Sequence, residues 1–482
     1  MNRNRNRCGL FLLGVIAVLL AGCTLAPKYE RPASPVPNDW PKGAAYQTVT
    51  PAASAPMPAE LPWRDFLPDE RLRKVIEAAL NNSRDFRLAV LNVERARALY
   101  RVQRDELLPS FQAAGSKIKE RVPGDLSSSG HSGTHTQYSV DFGISSWEID
   151  FFGRIRSLKD QALEEYLATD QARRNMQILL VSEVANIWFT LAADGQNLKL
   201  ARYTFGDQQT SYNLIRKRYD VGISSELDLR RAQTQVDTAR RNVAIYTQLT
   251  AQDENALNLL VGTPVPTALL PSQLDGVLPP KEISHGLSSD VLLNRPDVLA
   301  AEHRLKAAHA NIGAARAAFF PRISLTTLIG TASTDLSRLF ESGQDTWLFA
   351  PQIAVPIFDA RTWSAYYVTK VEREISVARY EQTIQMAFRE VADALAQKGT
   401  VGEQLAAQES LVEAVAETYR LSDTRYNKGI DSYLSVLDSH RSLYSAQQLL
   451  ISLRLSGLTN QITLYKVLGG GTTPDSRHDQ NI

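Results

Sequence analysis

Two cysteines in 482 residues, Cys8 and Cys23, leave no disulfide framework to hold this chain together. The net charge is +1 and no long basic block occurs. That excludes nucleic acid as the main partner, because neutralising phosphates takes clustered Lys and Arg. Beyond the N-terminus no run of 18 apolar residues exists, so no transmembrane helix is expected in the mature chain. Histidine is scarce. His131 and His135 lie in a Gly/Ser-rich stretch without acids or thiols at metal-ligand spacing, and read as loop residues rather than zinc ligands. His303, His309 and His440 fall on helical stretches and read as solvated or packed. No phosphate loop is present, and Gly469-Gly470-Gly471 reads as a helix stop. Glu148 and Asp150, beside a strand end, read as charges facing a lumen rather than an acid-base pair. No enzyme activity, cofactor or metal is expected. Proline is missing from two stretches of 67 residues each, Arg154 to Asp220 and Arg361 to Asn427.

What is present begins with a processing signal. Arg3, Arg5 and Arg7 precede a short apolar core, Leu10 to Leu20. Leu20-Ala21-Gly22-Cys23 then resembles the lipobox of bacterial lipoproteins, which implies cleavage before Cys23 and diacylation of its sulfur. Residues 1–22 are read as signal and 23–66 as an acylated, Pro-rich tether lying along the folded body; a free linker is the alternative. Thr24 stands where an Asp would favour the inner membrane, so an outer-membrane location is expected.

The remainder is written twice. Tyr426-Asn427-Lys428-Gly429-Ile430-Asp431 repeats Tyr219-Asp220-Val221-Gly222-Ile223-Ser224, 207 positions downstream. Gly in the left-handed conformation ends a helix and Ser or Asp caps the next, so each copy reads as a helical-hairpin tip. Residues 67–262 form the first repeat and 286–469 the second, joined by a connector at 263–285 and followed by a polar tail, 470–482. The proline-free runs would be helices about 100 Å long at about 1.5 Å per residue, with Gly195 and Gly402 marking a shared bend. In each half a shorter helix precedes the long one and stops at Pro109 or Pro321.

Between those helices lie alternating segments. Tyr138, Val140, Phe142 and Ile144 alternate with Ser139, Asp141, Gly143 and Ser145, the period of a strand with one apolar face. Trp347, Phe349, Ile353, Val355 and Ile357 do the same, with partner strands at 111–118 and 323–329. The hairpins fall at about 110–152 and 322–358, with loops at 119–136 and 332–346. Such a hairpin either crosses a bilayer or packs on a soluble core. Trp147, Phe151, Phe152, Trp347 and Phe358 near strand ends suit an interfacial girdle. Four strands cannot close a barrel, so membrane-spanning hairpins require several chains to share one.

Lipobox, Ala26-Pro27-Lys28-Tyr29-Glu30-Arg31-Pro32, Trp147-Glu148-Ile149-Asp150-Phe151-Phe152-Gly153-Arg154, Leu293-Asn294-Arg295-Pro296-Asp297-Val298, Phe320-Pro321-Arg322-Ile323 and Pro356-Ile357-Phe358 recur together in one family. With Arg425-Tyr426 through Gly429 and Leu434 to Arg441, they span the whole mature chain. The sequence resembles the outer-membrane factors of tripartite efflux pumps, the TolC family, most closely its lipidated OprM-like branch. The resemblance implies an α plus transmembrane-β fold: a homotrimeric, 12-stranded outer-membrane barrel with four strands per chain, continued by a periplasmic helical barrel. It implies a passive conduit that meets a periplasmic adaptor (membrane fusion) protein and an inner-membrane resistance–nodulation–division transporter. A duct for protein secretion is the alternative, and a poreless periplasmic scaffold a more distant one.

Leu434 and Asp438 lie four apart, on one helix face. Three copies would make a ring of Leu, which gates by dewetting, and a ring of carboxylates. In OprM-like relatives the matching Leu and Asp form the periplasmic constriction, held by nearby Arg. Arg441 stands in such a position, and Arg231, the repeat-mate of Asp438, is a candidate partner. A merely solvated Asp438 is the plainer reading. The resemblance also implies adaptor-docking tips at Gly222, Ile223, Ser224, Gly429, Ile430 and Asp431, against simple turn chemistry, which explains the Gly but not the repeated Ile.

Overall fold

The computed structural model describes residues 24–46, 58, 61–128, 130–283 and 288–471. The signal segment, Cys23 and most of the polar tail lie outside the described residues. After a helical turn at Trp63–Phe66 the elements run α1 (Glu70–Asn82), α2 (Arg84–Asp105), β1 (Phe111–Val122), β2 (Gly133–Glu148), α3 (Arg154–Asp220) and α4 (Glu226–Val261). The second half repeats the order: α5 (Pro296–Ala317), β3 (Arg322–Ser333), β4 (Asp345–Ala354), α6 (Ala360–Asn427) and α7 (Tyr433–Val467). The chain forms two compact units whose division runs across the repeats. The first takes the described part of Met1–Ala33, Val93–Thr169 and Ala301–Tyr380; the second takes Ser34–Asn92, Asp170–Ala300 and the described part of Glu381–Ile482.

The first unit holds one antiparallel sheet in the order β1-β2-β3-β4. Its register sorts the side chains. Ala113, Phe142, Ile329 and Trp347 stand in one row, and Phe111, Ile144, Thr327 and Phe349 in another row of the same face. The opposite face carries Gln112, Ser139, Asp141, Gly143, Gly330 and Gln352, with Leu328 and Leu348 as its apolar members. A bulge between Ile144 and Trp147 restores parity, returning Trp147 to the apolar face opposite Leu325. That apolar face is bare: Phe142, Ile329, Trp347, Phe349 and Ile353 are all exposed. Among the described residues, β1 and β4 are edges without a further strand.

The strands run past the apolar alternation, to Val122 and from Gly133, so His135 sits in β2 opposite Glu120 rather than in a loop. Ladder hydrogen bonds are backbone bonds and continue where side chains are polar on both faces. Glu148 and Asp150 are each tied to arginine. Arg154 and Arg322 bind Glu148 at 2.8 and 3.2 Å, and Arg156 binds Asp150 at 3.1 Å. A carboxylate this far from water needs such a partner. In the same unit the tether is pinned: Arg31 and Tyr29 both donate to the Glu302 carboxylate, at 2.7 and 3.1 Å.

In the second unit the core gathers Leu72, Val75 and Ile76 of α1, Val184, Trp188 and Phe189 of α3, Leu257 of α4 and Val391 of α6. A window of α3 is apolar enough to cross a bilayer, but 61% of it is buried within the protein, as in a core helix. The tether's later part is held here by Trp40 stacked on Phe388 at 5.0 Å and by Ser289, which donates to Pro37 O at 2.7 Å. Of the two glycines expected to mark a bend, only Gly195 is sterically required: a methyl there would lie 2.5 Å from Ser272 O of the connector. Gly402 faces open space; the matching close approach is at Gly399, under Ala45. Each glycine lets a backbone segment cross its helix. A 3-10 turn, Ser289–Asn294, leads into α5.

Asp194 of α3 and Asp253 of α4 act on one another in a half-buried setting, and Asp253 Oδ2 is buried without a hydrogen-bond partner. Burial, then the neighbouring Asp194 charge, pushes the Asp253 carboxyl up to about 6. A carboxyl raised in the fold stabilises it below its unfolded value and loses that contribution as pH rises through the folded one. Asp253→Asn, which copies the Asn460 of the second repeat, is therefore expected to raise stability by about 1 kcal/mol at pH 8, discounted for solvent screening. At pH 5, between the unfolded and folded values, the gain should be about half as large. Thermal scans at the two pH values check this; an equal shift at both would show that the charge is not the cause.

Candidate functional site

Both tips end in the same hydrogen-bonded motif. In α3 Gly222 donates to Tyr219 O at 2.9 Å and Ile223 to Arg218 O at 2.8 Å. In α6 Gly429 donates to Tyr426 O at 2.9 Å and Ile430 to Arg425 O at 3.0 Å. This is the six-to-one and five-to-two pairing of a Schellman end, which needs a left-handed residue. Gly222 at φ 80° and Gly429 at φ 72° supply it. In that motif the residue after the glycine usually packs back on its own helix. Here Ile223 and Ile430 do not: they are 77% and 59% exposed. Turn chemistry thus accounts for the glycines and leaves two apolar side chains in solvent.

The tips differ in charge. Asp431 receives a two-pronged ion pair from Arg425, at 2.6 and 3.1 Å, which holds its carboxyl below the ordinary range. Ser224 stands at that place in the first tip. Behind the tips Ser225 caps α4 by accepting from Asp228 N at 3.1 Å, whereas Ser432 gives α7 no side-chain cap.

Helix α7 has two faces below its tip. Tyr433, Val436 and Leu437 are buried against Ile215 of α3 and Ala232 of α4, with Tyr212, Leu229, Tyr419 and Tyr426 packed around them. Leu434 and Asp438 lie on the exposed face. Asp438 is paired with Arg441, one turn along, at 2.7 Å. Within the chain the structure does not bring Arg231 to Asp438; Arg231 lies 3.9 Å from Asp228 on its own helix. Leu434, Asp438 and Arg441 therefore share a solvent face, Arg231 stands apart, and the acid already has one cation.

Sequence reasoning missed a second set. Tyr419 of α6 donates to Asp207 Oδ2 of α3 at 3.3 Å, and His440 of α7 places Nε2 at 3.8 Å from the same oxygen. The two rings meet edge-on, centroids 5.1 Å apart. Arg218 of α3 lies over the Tyr426 ring at 5.3 Å. These contacts tie the second helical hairpin to the first. A signal was available: Tyr419, Tyr426, Tyr433 and His440 recur every seven residues across the Gly429 break.

A family model described as outer membrane efflux protein matches residues 75–263 and 287–470. The chain belongs to the outer membrane efflux protein family. The toluene efflux pump outer membrane protein TtgC of Pseudomonas putida is 49% identical over 464 residues, 96% of this chain and 95% of that one. The antibiotic efflux pump outer membrane protein ArpC of Pseudomonas putida matches equally, 49% over the same shares. Among solved structures, the MtrE outer membrane channel of Neisseria gonorrhoeae in its open state superposes with a TM-score of 0.84 at 36% identity, covering 94% of this chain and all of that one. The tips and the exposed face of α7 fall within the matched stretches of the family model.

Proposed function

We propose that this chain is the outer-membrane conduit of a tripartite efflux pump, passing toxic compounds to the exterior without chemistry of its own. The carrying observation is the sheet: among the described residues four strands, one face baring Phe142, Ile329, Trp347, Phe349 and Ile353, and two open edges. In lipid an open edge leaves backbone groups unsatisfied, so the edges must pair with other copies. Three copies give a barrel of twelve strands, lipid against Trp347, Phe349 and Ile353 and water against Asp141 and Gln352. The exposed Leu88, Leu91, Leu99 and Val102 of α2 suit burial against a second copy. The duplicated segments 67–262 and 286–469 would then supply equal shares of barrel and tunnel.

In this reading Cys23 is diacylated after removal of residues 1–22. Thr24 Oγ1 lies 3.3 Å from Ser157 Oγ, and Arg316 donates to Leu25 O at 3.1 Å, which supports an anchor beside the start of α3. Gly222, Ile223, Ser224, Gly429, Ile430 and Asp431 meet the hairpins of a periplasmic adaptor, which links the conduit to a resistance–nodulation–division transporter. Leu434 and Asp438 form the resting constriction, with Arg441 and Arg231 as its cations between copies. Relatives that serve toluene and antibiotic efflux pumps favour efflux over protein secretion. Deleting the chain is expected to sensitise cells to several unrelated toxic compounds at once, read as inhibitory concentrations. Unchanged sensitivity, with loss of a secreted protein, would favour the secretion duct.

A further inference from the structure

We infer that His440 is a positioning residue of the gate, whose protonation loosens the second helical hairpin from the first and so favours opening at acid pH. The inference rests on the gated-conduit reading. His440 sits two residues from Asp438 but on the packed side of α7, its side chain 13% exposed. Asp207 of α3 and Tyr419 of α6 face it. Asp423 of α6 and Asp228 of α4 act on its neighbours, Asp423 on Tyr419 and both on Tyr433, while Asp207 is the charge that acts on His440 itself. Asp438 and Arg441, on its own helix, are paired on the exposed face.

The geometry decides the sign. Asp207 Oδ2 already accepts from Tyr419, and its distance of 3.8 Å from His440 Nε2 is beyond hydrogen-bond range. The pair is thus too long to repay the desolvation of an imidazolium. Burial lowers the proton affinity of His440 from its ordinary value, and Asp207 only partly restores it. In a separated hairpin the ring would be solvated and bind a proton more readily. Linkage then requires that protons favour the separated arrangement: the packed one is stable above the ordinary histidine range and weakens as pH falls through the lowered value. At neutral pH His440 is an uncharged ring packed edge-on against Tyr419, and it helps hold α7, with Leu434 and Asp438, in place.

The test is single-channel recording of the purified full-length protein in planar bilayers between pH 7.5 and 5.0. The wild type is expected to raise its open fraction on the order of threefold on acidification. His440→Gln, neutral at every pH, should give a flat profile whatever its level at pH 7.5. Asp253→Asn, which removes a carboxyl raised to about 6, should keep the wild-type rise. Asp207→Asn keeps His440 but removes the charge acting on it, and should move the midpoint to lower pH. Superimposable profiles for wild type and His440→Gln, or a wild type that closes on acidification, would overturn the inference. Should His440→Gln fail to assemble, an unmoved midpoint in Asp207→Asn overturns it instead. A wild type without conductance at any pH would count against the conduit reading, whereas a conducting channel with identical profiles counts against His440 alone.

Discussion

Asp438→Ala is expected to raise resting conductance in planar bilayers about tenfold, the equivalent of losing one charge-assisted hydrogen bond of roughly 1.5–3 kcal/mol. The side chain lies on the exposed face of α7, one turn beyond Leu434, and its partner inside the chain is Arg441 at 2.7 Å. An exposed pair of this kind adds little to the fold. In the proposed gate its value would lie between copies, where three carboxylates brought towards one axis would repel unless each were held by a cation. Removing the acid would leave the proposed Leu434 ring as the sole barrier, and a single hydrophobic ring rewets readily. Arg441→Ala should shift conductance in the same direction. Wild-type conductance in Asp438→Ala would leave Asp438 a solvated helix residue and remove it from the gate.

Gly429→Trp should abolish drug resistance while trimers still assemble. The backbone at Gly429 is left-handed at φ 72°, so any side chain costs about 1–2 kcal/mol there. No atom lies within 4 Å of the place a Cβ would take, so bulk is accommodated inside the chain. In the proposed docking role, what it would obstruct is the approach of an adaptor to Ile430. Gly429→Ala separates the two effects, since it carries the backbone strain without the bulk, and should retain most resistance. Heat-resistant trimers on gels and inhibitory concentrations in a deletion strain give the two readouts. Full resistance in Gly429→Trp would mean that this tip does not dock.

The long helices were legible because nothing interrupts them: no proline from Arg154 to Asp220, then Gly222 and a capping Ser225. Strands were legible where one face is apolar, as from Tyr138 to Ile144, and illegible where both faces are polar, as at Thr134 to Thr136. The close backbone crossings were half visible. Gly195 and Gly402 share the repeat offset, but the crossing segments, Ser272 and Ala45, come from the connector and the tether, which are not repeated, so the second crossing falls at Gly399. At the gate, spacing alone put Leu434 and Asp438 on one face. It could not reveal that Asp207, more than 200 residues away, binds Tyr419 and neighbours His440, because no local pattern on α3 marks that position.

The most direct measurement is the rate at which preloaded cells lose several chemically unrelated fluorescent compounds, comparing a deletion strain with the same strain carrying this chain. The account predicts slow loss of every compound in the deletion strain, restored by the wild type but not by Gly429→Trp. Equal rates with and without the chain would contradict it.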